Sequence, residues 1–188
     1  MHTIEPFYLW RSKYLAHRDT RSPFFEYQNS EVFYTDAIYN HVIHPQWDYM
    51  GSDTLFIKQI YADYSNEVTV LEFIGEWNDL LSNDCMILYR DFIEPMIDSG
   101  IDKFILIGES VFNFHADIPD YYQEWLENIP EGYIASIGWL PPVLDEWKTH
   151  GLTSYFGPLE GFDNWRTLGP MTFCKKVDDH LRGHIITE

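Results

Sequence analysis

A chain of 188 residues with 45% apolar side chains is long enough to bury one sizeable core, which excludes a disordered or low-complexity polypeptide. A formal charge of −18 repels phosphate backbones and anionic lipid surfaces, both of which are bound through Lys and Arg, so neither nucleic acid nor membrane is an expected partner. Two cysteines, Cys85 and Cys174, are too few for a disulfide framework, and no apolar run reaches signal-peptide or membrane-span length, so a reduced, soluble, cytoplasmic setting is expected.

Thirteen Tyr, thirteen Phe and seven Trp make aromatic rings the main material for burial, and such rings favour a polar partner at the edge. The charge is uneven. Residues 1–22 hold Arg11, Lys13, Arg18 and Arg21 against Glu5 and Asp19, a balance of +2, which leaves −20 on the other 166 residues. A basic segment on an acidic body would dock in cis, reach a neighbouring subunit, or serve as a solvated helix face.

In chain order, residues 4–17 read as a helix, with Pro6 in its first turn and Phe7, Trp10 and Tyr14 on one side. Residues 24–35 alternate rings with polar groups and predict a hairpin or two short strands. A short helix over 36–44 stops before Pro45, and 46–53 is loop. Residues 1–54 are thus an N-terminal helix and short β/loop elaboration, packed on a body formed by 55–188.

The body is more regular. Residues 55–63 and 68–74 form a hairpin turned at Ser65-Asn66. Asn78 or Asp79 caps a long helix whose apolar positions Leu81, Cys85, Leu88, Phe92 and Met96 step by three or four, with Pro95 disturbing its end and Gly100 closing it. Phe104-Ile105-Leu106-Ile107 is apolar on both pleat faces, as a strand covered on both sides requires. A helix opening at Pro119, a strand over 132–137, a helix from Pro141-Pro142, a last strand over 152–156 and a helix from Pro170 complete the chain. The expected fold is α/β: a mixed, mainly parallel sheet of about five strands, one of them an antiparallel edge hairpin strand, with helices on both faces.

A hairpin leading to Gly75-Glu76, then a helix, then Phe104 to Ile107 resembles the start of STAS (anti-sigma-factor-antagonist-like) domains, with the strand reaching Gly75-Glu76 standing for the second strand and Phe104-Ile107 for the third. The resemblance covers about half the chain. It implies a protein-interaction module switched at a Ser or Thr near the start of the next helix. This chain has His115-Ala116-Asp117 there, with no hydroxyl, so the resemblance carries no phosphorylation switch.

Four segments finish alike, at Ile74-Gly75, Ile107-Gly108, Ile137-Gly138 and Phe156-Gly157. In a parallel sheet the carboxyl ends share one rim, and ligands bind outside it. The candidate catalytic groups beyond these glycines are Glu76, Glu109 and His115; the candidate pocket residues are Trp77, Asn78, Ser110, Asn113, Asp117 and Trp139. Two carboxylates on neighbouring strands would share a proton or a divalent cation, and an imidazole beside them would supply general acid or base. Asp117 also fits as a helix cap. His41 and His44, with Asp48 behind, are a weak metal-ligand pattern lacking the glutamate of His-Glu-x-x-His. Gly108-Glu109-Ser110-Val111-Phe112 lacks the second glycine of a nucleophile elbow, and no phosphate-cradling glycine motif follows a strand.

Two readings follow. The first is a non-catalytic protein-interaction or regulatory module with no cofactor, its partner another protein or a second copy. The second is a small-molecule enzyme, hydrolase-like, using Glu76, Glu109 and His115.

Overall fold

In the computed structural model, which describes residues 2–28, 30–33 and 36–185, the chain starts as a strand ending at Ile4, and the helix expected over 4–17 does not form. β1 (His2–Ile4), β2 (Ala37–Ile38) and β3 (His41–Ile43) make a small sheet in the order β1-β3-β2, parallel on one side and antiparallel on the other. Residues 5–17 hold turns and the start of a 3-10 turn at Ala16–Arg18. Pro6 brings no N–H, the Phe7 N–H goes to the Glu72 carboxylate at 2.7 Å, and the Trp10 indole Nε1 donates to Leu168 O at 3.0 Å, so long-range bonds anchor this segment to the sheet and to the turn before α7. The periodicity still reports burial: Trp10, Tyr14 and, in part, Phe7 pack into one apolar cluster, which docks the basic segment in cis.

The helix expected over 36–44 is the β2–β3 hairpin, turning at Tyr39 with φ of 53°. It forms because Ile38 and Ile43 join Trp47, Phe56 and Ile74 in a separate apolar cluster. The strands expected over 24–35 are turns and bends at 24–27 and 31–32, because Phe25, Tyr27, Val32 and Phe33 find no layer to pack on and stay exposed. Asn29, Tyr34 and Thr35 lie outside the described residues. Within the expected 46–53 loop is a short strand, β4 (Asp48–Tyr49).

β4 begins a six-stranded sheet in sequence order. β5 (Leu55–Asp63) runs antiparallel to β4 and to β6 (Val68–Asn78). Asn78 caps α1 (Asp79–Ser82) by accepting the Leu81 N–H at 2.9 Å. The predicted long helix then comes in pieces. Asn83, at φ 53°, breaks it; α2 (Asp84–Leu88), a π-helical turn at Tyr89–Ile93 and α3 (Glu94–Asp98) follow. Cys85, Leu88 and Met96 keep the buried stripe, but Leu81, before the break, is turned to solvent.

β7 (Lys103–His115) is more than twice the predicted length and pairs in parallel with β6 along its whole run. After it come α4 (Asp120–Glu127), β8 (Tyr133–Ile137) and α5 (Pro141–Thr149). The strand expected over 152–156 is instead helical, α6 (Thr153–Phe156), since Leu152 and Phe156 lie four apart and are both fully buried. Gly157, at φ 49°, turns the chain into the last parallel strand, β9 (Pro158–Leu159), and α7 (Pro170–Ile185) follows.

α1 to α6 cover one face of the sheet, over Phe73, Phe104, Leu106 and Ile134. α7, the N-terminal segment and the small sheet cover the other, over Val70, Ile105, Ile107 and Ile74. The fold is therefore the mixed, mainly parallel α/β sheet with helices on both faces, with six strands. Trp139 lies against the backbone of Gly108: a Cβ there would sit 2.1 Å from the indole. Gly108→Ala is expected to destabilise the chain by about 1–3 kcal/mol through overpacking, measured by denaturant unfolding; unchanged stability would mean that Trp139 moves freely.

Candidate functional site

β6 and β7 continue past β8, whose pairing with β7 stops at Ile107↔Ile137. Gly75 and Gly108 therefore lie inside strands, and Glu109 to His115 are strand residues where a loop was expected, because the ladder resumes at Ile74↔Ser110 and reaches Asn78↔His115. A register shift on each side of Gly75 re-aims the side chains. Gly75 has φ of 123°, and a Cβ there would meet Thr54 O at 2.0 Å.

This overshooting pair of strands brings Glu76, Asn78, Asn113 and His115 together. Glu76 Oε1 lies 3.4 Å from His115 Nε2 and accepts from Asn78 Nδ2 at 3.1 Å, and Glu76 Oε2 accepts the Tyr39 hydroxyl. The contact with Glu76 raises the Tyr39 phenol above its ordinary range. Asn113 Nδ2 is 3.0 Å from His115 Nε2, and His41 stacks on Phe112 with ring centroids 4.9 Å apart. Asn78 is buried while Glu76, Asn113 and His115 are half-exposed, and the cluster stands at the outer end of the sheet.

Glu109 belongs to another cluster. Its carboxylate accepts from Trp165 Nε1 at 2.7 Å and pairs with Arg166. The same guanidinium lies 3.3 Å from Glu72, which sequence reasoning passed over although a lone carboxylate inside Val68-Thr69-Val70-Leu71-Glu72-Phe73-Ile74 signals a buried charge. Glu72 is 2% exposed. Burial lifts its carboxyl to about 7; the Phe7 N–H and Arg166 pull it down, and the Glu109 charge pushes it up.

The remaining candidates divide between core and surface. Trp77 is fully buried, stacked on Phe114, with its Nε1 donating to Asp79 at 2.9 Å. Asp79 also accepts the Cys85 N–H at 2.8 Å and the Tyr122 hydroxyl, tying α1, α2 and α4 to the end of β6; burial raises it to about 6. Trp139 packs between Phe73, Trp147 and Phe156. Tyr122 and Trp125 are core residues. Ser110 is half-buried and Asp117 exposed.

His41, His44 and Asp48 have different neighbours: Phe112, Glu5 at 3.6 Å and Lys58 at 3.1 Å. Among the described residues no three His, Cys, Asp or Glu side chains gather as a metal-binding group, and no helix is long and apolar enough to cross a membrane.

No family model matches the chain, and no curated protein matches it. Among solved structures it is similar to the anti-sigma factor antagonist SpoIIAA in its unphosphorylated form, with 11% identity and a TM-score of 0.46 over 68% of this chain and 96% of that one. The STAS resemblance read from element order thus reappears in three dimensions as a weak likeness of chain path.

The Glu72 site makes stability depend on pH. A carboxyl raised in the folded chain keeps its proton where the unfolded chain has released it, so its contribution falls as pH climbs from about 4.5 to about 7 and is level on either side. In Glu72→Gln the loss of unfolding free energy between those limits is expected to be smaller by up to about 3 kcal/mol than in the native chain. Identical profiles would show that the Glu72 carboxyl titrates in the folded chain as it does in the unfolded one.

Proposed function

We propose that this chain is a non-catalytic protein-interaction module, and that its docking surface is the outer end of β6 and β7. The observation that carries the reading is the set of exposed apolar side chains on and next to the strand ends that hold the Glu76–His115 pair: Tyr39, Leu80, Leu81 and Ile118 are 62%, 62%, 81% and 65% exposed. Tyr39 is hydrogen-bonded to Glu76. Leu80 and Leu81 follow the cap residue Asn78, whose register partner is His115, and Ile118 lies three residues beyond that histidine. Large apolar groups rimming a polar centre are the composition of an interface.

The acid–base groups that an enzyme would use support the same reading from the other side. Glu109 is held by Trp165 and Arg166, apart from the partners of Glu76. A hydrolytic centre needs nucleophile, base and orienting group within reach of one substrate atom, and these three residues serve two clusters. With a charge of −18, the complementary partner is a different protein that presents basic and apolar side chains; a second copy would meet like charge.

The test is site-specific photo-cross-linking of the full chain in its native extract, with the cross-linker at position 118 and, as control, at the exposed Met171. The expected result is a basic protein captured at 118 and not at 171. It should be lost in Leu81→Asp, whose own stability should change by no more than about 0.5 kcal/mol, and weakened at raised salt. The reading fails if both positions capture the same product, if the product is a dimer of this chain, or if a metabolite is turned over in a way that Glu76→Gln abolishes.

A further inference from the structure

A cleft of about 390 Å³ opens beside β4, between the coil around Ala16–Arg18 and the π-helical turn at Tyr89–Ile93. Its apolar wall holds Phe24 and Phe92, whose ring centroids are 5.2 Å apart, and the buried Met50. Tyr27 and Tyr49, 67% and 55% exposed, line it from the solvent side. Phe24 and Phe92 are half-buried and Asp91 is exposed, so all three are open to a molecule that enters.

The charges on this wall do not cancel. Glu31 is held by Arg11 at 2.7 and 2.8 Å and Asp48 by Lys58 at 3.1 Å, whereas Asp91 has neither an ion pair nor a hydrogen bond among the described residues. Asp91 Oδ2 lies 4.0 Å from where a Cβ of Gly51 would stand, and Gly51 is itself a wall residue, so the carboxylate is turned along the cleft. Asp91 and Phe92 both belong to the π-helical turn, a rare geometry that is frequent at functional sites. Lys58 is taken up by Asp48, so an anion finds no free lysine or arginine on the wall; His17 is the remaining basic group of the lining. A molecule with an apolar body and one positive charge satisfies both parts of the wall. We infer that this cleft is a binding site for an organic amine, with Phe24 and Phe92 against its apolar body and Asp91 against its ammonium group. Its volume lies within the roughly 300–1,000 Å³ of small-ligand pockets. The cleft shares no wall residue with the outer end of β6 and β7, so the site stands whether or not that surface docks a protein.

Titration calorimetry on the full chain tests it with phenethylamine as the probe. The controls are 2-phenylethanol and phenylacetate, which keep the ring and carry no charge or a negative one, and methylamine, which keeps the charge and loses the ring. Phenethylamine should bind, and each control should bind on the order of tenfold more weakly or not at all. The affinity for phenethylamine should drop on the order of tenfold in Asp91→Asn and stay unchanged in Asp98→Asn, which removes an exposed carboxylate of α3 outside the cleft. The inference is overturned if phenethylamine does not bind, if any control binds as tightly, or if Asp91→Asn binds it as the native chain does. An equal loss in Asp98→Asn overturns it as well, since that marks a diffuse attraction to an acidic chain.

Discussion

The parallel ladder between β6 and β7, unbroken in direction from Val68↔Lys103 to Asn78↔His115, is the constraint from which the rest of the structure takes its position. Its inner part is covered on both faces, so its backbone groups have no water to turn to and must pair with each other. That requirement explains the apolar run Phe104-Ile105-Leu106-Ile107 and the two layers that enclose it: short helices on one side, α7 with the N-terminal segment on the other. It also explains the two glycines. Gly75 lets β6 come close to Thr54, and Gly108 lets β7 come close to Trp139, each without ending its strand.

Because the two strands outrun β8, the ladder leaves the enclosed region with its last residues. The cluster of half-exposed Glu76, Asn113 and His115 around the buried Asn78 is the result, and α1 carries Leu80 and Leu81 outward from the same end. The carboxylates deeper in the chain act as clamps. Glu72 and Glu109 share Arg166 and tie the coil at Phe7 and the turn at Trp165 to the sheet, while Asp79 gathers Trp77, Cys85 and Tyr122. A buried carboxyl is tolerated on two conditions visible here: several donors point at it, and its pKa rises so that the proton is retained for longer.

The outer end of β6 and β7 thus differs from the enclosed part of the same ladder: it carries an acidic side chain, Glu76, and large apolar side chains open to solvent.

The sequence by itself determined the elements whose partners are close or whose pattern is decided by burial: the β5–β6 hairpin, the Asn78 cap, the strand at Phe104–Ile107, the helices from Pro119, Pro141 and Pro170, and so the mixed α/β class. It grouped Glu76, Glu109 and His115 at one rim, whereas the ladder sets Glu76 beside His115 as residues within β6 and β7. Tertiary structure alone decided the rest. Periodicity at Phe7, Trp10 and Tyr14 reports a buried side without saying what covers it, and the distant acceptors Glu72 and Leu168 fix where that side docks. Leu152 and Phe156 fit either a strand or a helical turn until Trp147 and Trp139 pack against Phe156. Glu109 is parted from Glu76 by its pairing with Arg166, far along the chain. Local pattern records how much of a residue is buried, whereas the identity of its neighbour depends on contacts between positions far apart in sequence.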